Sequence, residues 1–146
     1  MKLSTSILLI EKDPDNRHLF TEALDEIENA SLYTIVDNEE MAMEQLKKAS
    51  VLPDLIFTDI QKPLRDGISS LSAIIKNPIT KDIPIVILSD TTTESQFAFD
   101  LGVRAYIKKS HNSKTLRAQL DEMINLYFMD NCERASQTFN SLLTSA

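Results

Sequence analysis

Short apolar runs of strand length recur five times along the chain, at Ile7 to Ile10, Leu32 to Val36, Leu55 to Phe57, Ile85 to Leu88 and Ala105 to Ile107, and a stretch with helical spacing follows each. Leu19, Phe20, Ala23, Leu24 and Ile27 form the first stripe, and Ala42, Met43, Leu46 and Ala49 the second. Ile68, Leu71, Ile74 and Ile75 form a third, Phe97, Ala98 and Leu101 a fourth ended by Gly102, and Leu116, Leu120, Met123, Ile124 and Tyr127 a fifth. Recurrence at three and four residues marks one face of a helix, whereas Leu55-Ile56-Phe57 is apolar on both sides of an extended chain. Such strands must be covered on both faces, the condition met by parallel sheets with helices above and below. The alternation predicts an α/β fold of (βα)5 type, a doubly wound five-stranded parallel sheet.

Local signals support this register. Asp13 before Pro14 reads as an N-cap followed by proline at the first helical position, and Asn38 and Ser113 are placed to cap the second and fifth helices. Pro84 stands at the start of the fourth strand, where a missing N–H is tolerated. Met41, Met43 and Met123 read as core filling. A chain of 146 residues can bury one core without disulfides or a structural metal. The domain is expected over residues 1–129. The segment 130–146, with Phe139, Leu142 and Leu143 at helical spacing, is expected to extend the last helix or form a short docking segment.

Composition excludes several function classes. A formal charge of −7 and the absence of any Lys/Arg cluster argue against nucleic-acid binding, which rests on neutralising phosphates. Cys132 is the single cysteine, so no internal disulfide is available and a reducing cytoplasm is the simplest compartment. The first apolar run is too short for a signal peptide or a membrane span, so a cytoplasmic protein without membrane contact is expected. With only Gly67 and Gly102, the chain lacks the glycine fingerprint of a dinucleotide enzyme.

In a doubly wound sheet, ligands bind beyond the carboxyl ends of the strands. Those ends carry Glu11-Lys12-Asp13, Asp37, Asp59, Ser89-Asp90 and Lys108-Lys109. A carboxylate can attack a phosphoryl group to form an acyl phosphate, and a lysine can neutralise charge on the phosphoryl oxygens. Asp37 and Asp90 read as solvated loop acids, and His18 and His111 as surface residues.

The stretch from Asp54 to Gly67, with Asp59 ending a strand, Pro63 four residues on and Asp66-Gly67 after it, resembles the phosphorylation site of bacterial response-regulator receiver domains. Ile85-Val86-Ile87-Leu88-Ser89 resembles that family's fourth strand, and Gly102 to Lys109 its fifth, over residues about 5 to 127 in all. The resemblance implies a flavodoxin-like strand order 2-1-3-4-5, Asp59 as phosphoacceptor, Lys109 and Ser89 as groups acting on the phosphoryl oxygens, and Tyr106 as the switch residue. It implies Mg²⁺ held by Glu11, Asp59 and the backbone carbonyl of Gln61. The donor would be a histidine kinase or histidine phosphotransfer protein. The expected role is a stand-alone, cytoplasmic receiver of a two-component phosphorelay, signalling by protein contacts and catalysing at most its own phosphorylation and dephosphorylation.

Two positions depart from the family pattern. Lys12 stands where a second acid is usual, and an ammonium has no lone pair for a metal. Glu11, Lys12, Asp59 and Lys109 sum to zero, where three acids and one lysine sum to −2. Either Mg²⁺ binding is weakened, or Asp13 restores an acid, or the Lys12 ammonium takes the metal's place in a phosphorylation-independent pseudo-receiver. Ser110 replaces the proline usual after the lysine, so the loop that aims Lys109 is expected to differ.

Overall fold

Strands that are apolar on both sides find helices on both sides in a computed structural model, which describes residues 4–60 and 68–127. Expectations placed on Gln61, Pro63, Asp66, Gly67, Cys132 and the segment 130–146 lie outside the described residues. In chain order the elements are β1 (Thr5–Ile10), α1 (Pro14–Asp25), β2 (Ala30–Val36), α2 (Glu39–Lys48), β3 (Leu55–Ile60), α3 (Ile68–Lys76), β4 (Ile85–Ser89), α4 (Ser95–Leu101) and β5 (Ala105–Lys108), with α5 over 113–127. The five strands are parallel and lie in the order β2-β1-β3-β4-β5, as expected. The direction of winding reverses between β1 and β3, which opens a crevice at their carboxyl ends.

Capping sets where the helices begin. The Asp13 side chain accepts from Asn16 N at 3.1 Å with Pro14 next to it, and Asn38 Oδ1 accepts from Met41 N at 2.8 Å. For α5 the cap is Asn112 rather than Ser113: Asn112 Oδ1 accepts from Lys114 N at 3.0 Å and Thr115 N at 3.1 Å. A carboxamide oxygen one residue earlier satisfies two of the free amides of the first turn, and Ser113 is already helical.

The sheet separates two cores. Leu8, Ile10, Ile56 and Ile87 pack with Leu46 of α2 and Ile74 of α3. Ile7, Leu9, Phe57 and Leu88 pack on the other side with Leu24 of α1 and Leu120 of α5. Two helix residues expected inside lie outside, Phe97 at 37% and Met41 at 40% exposed, and on the edge strand β2 so does Leu32 at 39%. Neighbouring residues on a helix point about 100° apart, so where Ala98 and Ala42 face the core the residue before each is turned away.

Gly102 ends α4 in the left-handed region at φ 115°, and a Cβ there would lie 3.2 Å from Ile75 Cγ2. Both the backbone conformation and the contact disfavour a side chain. Gly102→Ala is expected to lower stability by about 1–2 kcal/mol in urea unfolding. A loss smaller than about 0.5 kcal/mol would show that the turn relaxes freely.

Candidate functional site

Side chains alternate along a strand, so the face that carries Ile7 and Leu9 in β1 carries Glu11 next. By the same period, Leu55 and Phe57 in β3 lead to Asp59, and Ala105 and Ile107 in β5 lead to Lys109. Glu11, Asp59 and Lys109 line one small pocket at the carboxyl edge of the sheet, walled by Leu9, Asn16, Leu19, Phe20, Leu88 and Leu116. Phe20 packs edge-to-face on Phe57, with ring centroids 5.5 Å apart. The Lys109 ammonium is ion-paired with the Asp59 carboxylate, and each side chain is only 6% exposed. The peptide bonds of the described residues are all trans, including Lys109–Ser110.

Glu11 is 3% exposed, and its Oε1 accepts from Asp13 N at 2.8 Å. Its main-chain carbonyl accepts from Arg17 Nε, while the Arg17 guanidinium pairs with Asp37. Arg17 thereby ties the loop after β1 to the loop after β2. Burial, and then hydrogen bonding with the neighbouring Asp59, push the Glu11 carboxyl up to about 8 against the lowering effects of the Asp13 amide and Lys109. At neutral pH Glu11 is a neutral acid beside an ionised pair.

Other expected residues fall elsewhere. Lys12, next in the alternation, has an exposed side chain, and the cation on Asp59 is Lys109. Of the alternatives open at position 12, a Lys12 ammonium paired with Asp59 is not the arrangement described: an ammonium at this edge can stay in water and avoid the desolvation that Lys109 undergoes. The Asp13 carboxylate serves as the α1 cap. Ser89 is buried but follows Ile85 and Ile87 onto the opposite face, where its Oγ accepts from Thr91 N at 3.3 Å. Tyr106 packs on that face too, with a buried hydroxyl that pairs with none of the described groups. Asp37 and Asp90 are half-exposed or more, paired with Arg17 and His111. Asn16 and Arg17 were not singled out from the sequence, because nothing local marks a helix residue as facing a strand tip.

Among the described residues, no group of three or more His, Cys, Asp or Glu side chains is assembled for a metal. Two buried acids, one of them kept protonated chiefly by its burial, are nevertheless a donor set that a hard cation would relieve. Mg²⁺ commonly uses one or two carboxylates and keeps several waters.

The raised Glu11 carboxyl also sets a pH dependence. The folded chain holds this proton more tightly than the unfolded chain, where the group titrates near 4.5. Its contribution to stability is therefore full below pH 4.5 and is lost as pH rises through about 8. In urea unfolding without divalent metal, the parent is expected to lose about 1–3 kcal/mol more between pH 5 and pH 8.5 than Glu11→Gln loses. Parallel profiles would show that Glu11 is ionised in the folded protein at neutral pH.

With this geometry in view, the relatives are informative. The sequence matches the family model for the response regulator receiver domain over residues 7–121. It is 38% identical over 66 residues to the response regulator Rcp1 of Synechocystis sp., which covers 44% of this chain and 45% of that protein. It is 29% identical over 120 residues to the transcriptional regulatory protein KdpE of Staphylococcus aureus, covering 81% of this chain and 49% of the relative. A 3',5'-cyclic-nucleotide phosphodiesterase, regA of Dictyostelium discoideum, is 28% identical over 94 residues, 62% of this chain but 12% of the enzyme. The chain thus spans half or less of the length of these relatives. Among solved structures, the phosphorylated cyanobacterial phytochrome response regulator RcpA superposes with a TM-score of 0.71 at 29% identity, covering 86% of this chain and 94% of its own. The Mn²⁺-bound form of Rcp1 gives 0.65 at 30% identity, covering 82% and 91%. The match over residues 7–121 and the shared strand order establish that this chain belongs to the response regulator receiver domain family of two-component signalling.

Proposed function

We propose that this chain accepts a phosphoryl group on Asp59 from a histidine kinase or histidine phosphotransfer protein and signals through protein contacts. The observation that carries this reading is the burial of the Asp59 carboxylate against the Lys109 ammonium at the carboxyl edge of the sheet. In the transfer, an Asp59 oxygen forms the new P–O bond as the P–N bond of the donor phosphohistidine breaks. The bonding electron pair stays on the imidazole nitrogen, and the product is an acyl phosphate. Lys109, already beside the nucleophile, neutralises the phosphoryl oxygens, whereas the Ser89 hydroxyl, which rests on the opposite face against Thr91 N, would donate to them only after turning toward the strand tip.

Glu11, Asp59 and the backbone carbonyl of Gln61 would hold Mg²⁺, which when bound adds positive charge beside the phosphoryl oxygens. Position 12 offers no carboxylate, so this site is weaker than one with a second acid there. Tyr106 and the face formed by α4, β5 and α5 are the readout of the added charge. No separate substrate is turned over. Among the described residues no helix is long and apolar enough to cross a membrane. The pseudo-receiver alternative is not favoured, because the exposed Lys12 side chain does not take the metal's place.

Incubation of the full chain with acetyl phosphate and Mg²⁺ is expected to give a labile mass gain of one phosphate, absent from Asp59→Asn. Labelling of that variant, or none in the parent, would refute the assignment. Lys12→Asp is expected to tighten Mg²⁺ binding about fivefold, since replacing one exposed charge by its opposite near the cation shifts the interaction by roughly 1 kcal/mol. Equal affinities would show that position 12 has no influence on the cation.

A further inference from the structure

Lys109 supplies the positive charge of the pocket, yet it lies in a loop: β5 ends at Lys108 and α5 begins at 113. On the sheet side, Lys109 N donates to Ser89 O at 2.8 Å. On the other side the loop is held from α5. Gln119 Nε2 donates to Lys108 O at 2.9 Å, and Gln119 Oε1 accepts from Ser110 N at 3.3 Å. One carboxamide therefore spans Lys109, gripping the carbonyl before it and the amide after it. A primary amide offers a donor and an acceptor side by side in one plane, which an ionised carboxylate does not, and asparagine is a methylene shorter than glutamine. The second bond also needs an N–H at position 110, which Ser110 has and a proline would lack. Ser110 Oγ in turn accepts from Asn112 N at 3.1 Å, which ties the loop forward to the cap of α5.

We propose that Gln119 is a positioning residue that fixes the backbone on both sides of Lys109 and so aims its ammonium at Asp59. The proposal rests on the phosphoryl-acceptor reading for its consequence, but not for its geometry. Gln119 is not among the residues lining the pocket, so it acts only through the loop. Misplacement of a reacting group by about 1 Å can cost around a hundredfold in rate, and loss of a two-point clamp should cost part of that.

The test uses the full chain with Gln119→Ala and Gln119→Glu. Alanine is the strongest helix former, so α5 is retained, while glutamate keeps the acceptor toward Ser110 and loses the donor toward Lys108. The rate of phosphorylation by acetyl phosphate is expected to fall about 5- to 20-fold in the alanine variant and by less in the glutamate variant. Amide hydrogen exchange at Lys109 and Ser110 is expected to quicken about tenfold in the alanine variant, with Ser110 still protected in the glutamate variant. Unaltered exchange in Gln119→Ala, or faster exchange with an unaltered phosphorylation rate, overturns the proposal. Should the parent accept no phosphoryl group, the functional reading fails and the clamp is judged by the ¹⁵N resonance of the Lys109 ammonium. Movement toward the position of a free lysine in Gln119→Ala supports it, and an unmoved resonance overturns it.

Discussion

Extended chains have two sides, and a parallel sheet covered by helices on both gives each side to a different core. The side held by Leu9 continues to Glu11, that of Phe57 to Asp59, and that of Ile107 to Lys109. Three ionisable groups thus inherit a buried position from the apolar residues two places before them. Burial of each charge costs several kcal/mol unless a partner stands close. The pairing of Asp59 with Lys109 and the proton held by Glu11 are the two ways in which this pocket offsets that cost. The rest of the edge serves to keep those partners in place: Arg17 holds the Glu11 carbonyl, and Lys109 N is held by Ser89 O.

A count of formal charges over Glu11, Lys12, Asp59 and Lys109 gives zero, and the folded pocket is also neutral at pH 7, but for a different reason. Lys12 lies outside, and Glu11 is protonated, so Asp59 and Lys109 alone carry charge. The distinction matters for chemistry. Neutrality produced by a lysine in the pocket would be permanent and would repel a cation. Neutrality produced by a proton is exchangeable, because a divalent ion can displace that proton and leave the pocket with two carboxylates. Were a divalent ion held here, its affinity would depend on pH through the proton on Glu11.

Much of the architecture was legible because it is written in short-range periodicity. The five apolar runs fall within the five strands, Asp13 and Asn38 cap where their spacing indicated, and Gly102 ends α4. The same alternation that marks a strand also implies which strand-end residues share a face, and from it follows the gathering of Glu11, Asp59 and Lys109. It equally separates Ser89 from that pocket, a step that requires following the period past the last apolar residue. What escaped the sequence depends on side chains meeting across the fold. Phe97 and Met41 are apolar but turn outward, since composition does not state which of two adjacent helix residues faces in. Lys12 was assigned to the cleft by its position in a motif, whereas its side chain had the cheaper course of remaining in water. The contacts of Gln119 with Lys108 and Ser110 span 11 and 9 residues between a loop and a helix, with no periodic signal.

The separation of the two faces bears on the proposed readout at Tyr106. The acid and lysine lie on the α1 and α5 side, whereas Ser89 and Tyr106 lie on the other, so no side chain of the pocket packs directly on the tyrosine through the sheet. What the two faces share is backbone. Ser89 O receives the Lys109 amide, Ser89 is opposite Ile60 and Lys108 in the ladder, and Tyr106 is opposite Ile87. A shift of the β3 tip would reach Tyr106 through β4, whereas a shift of β5 would move Tyr106 directly, since it lies in that strand. Among the described groups the Tyr106 hydroxyl has no hydrogen-bond partner, and a hydroxyl buried in that way costs about 1–3 kcal/mol.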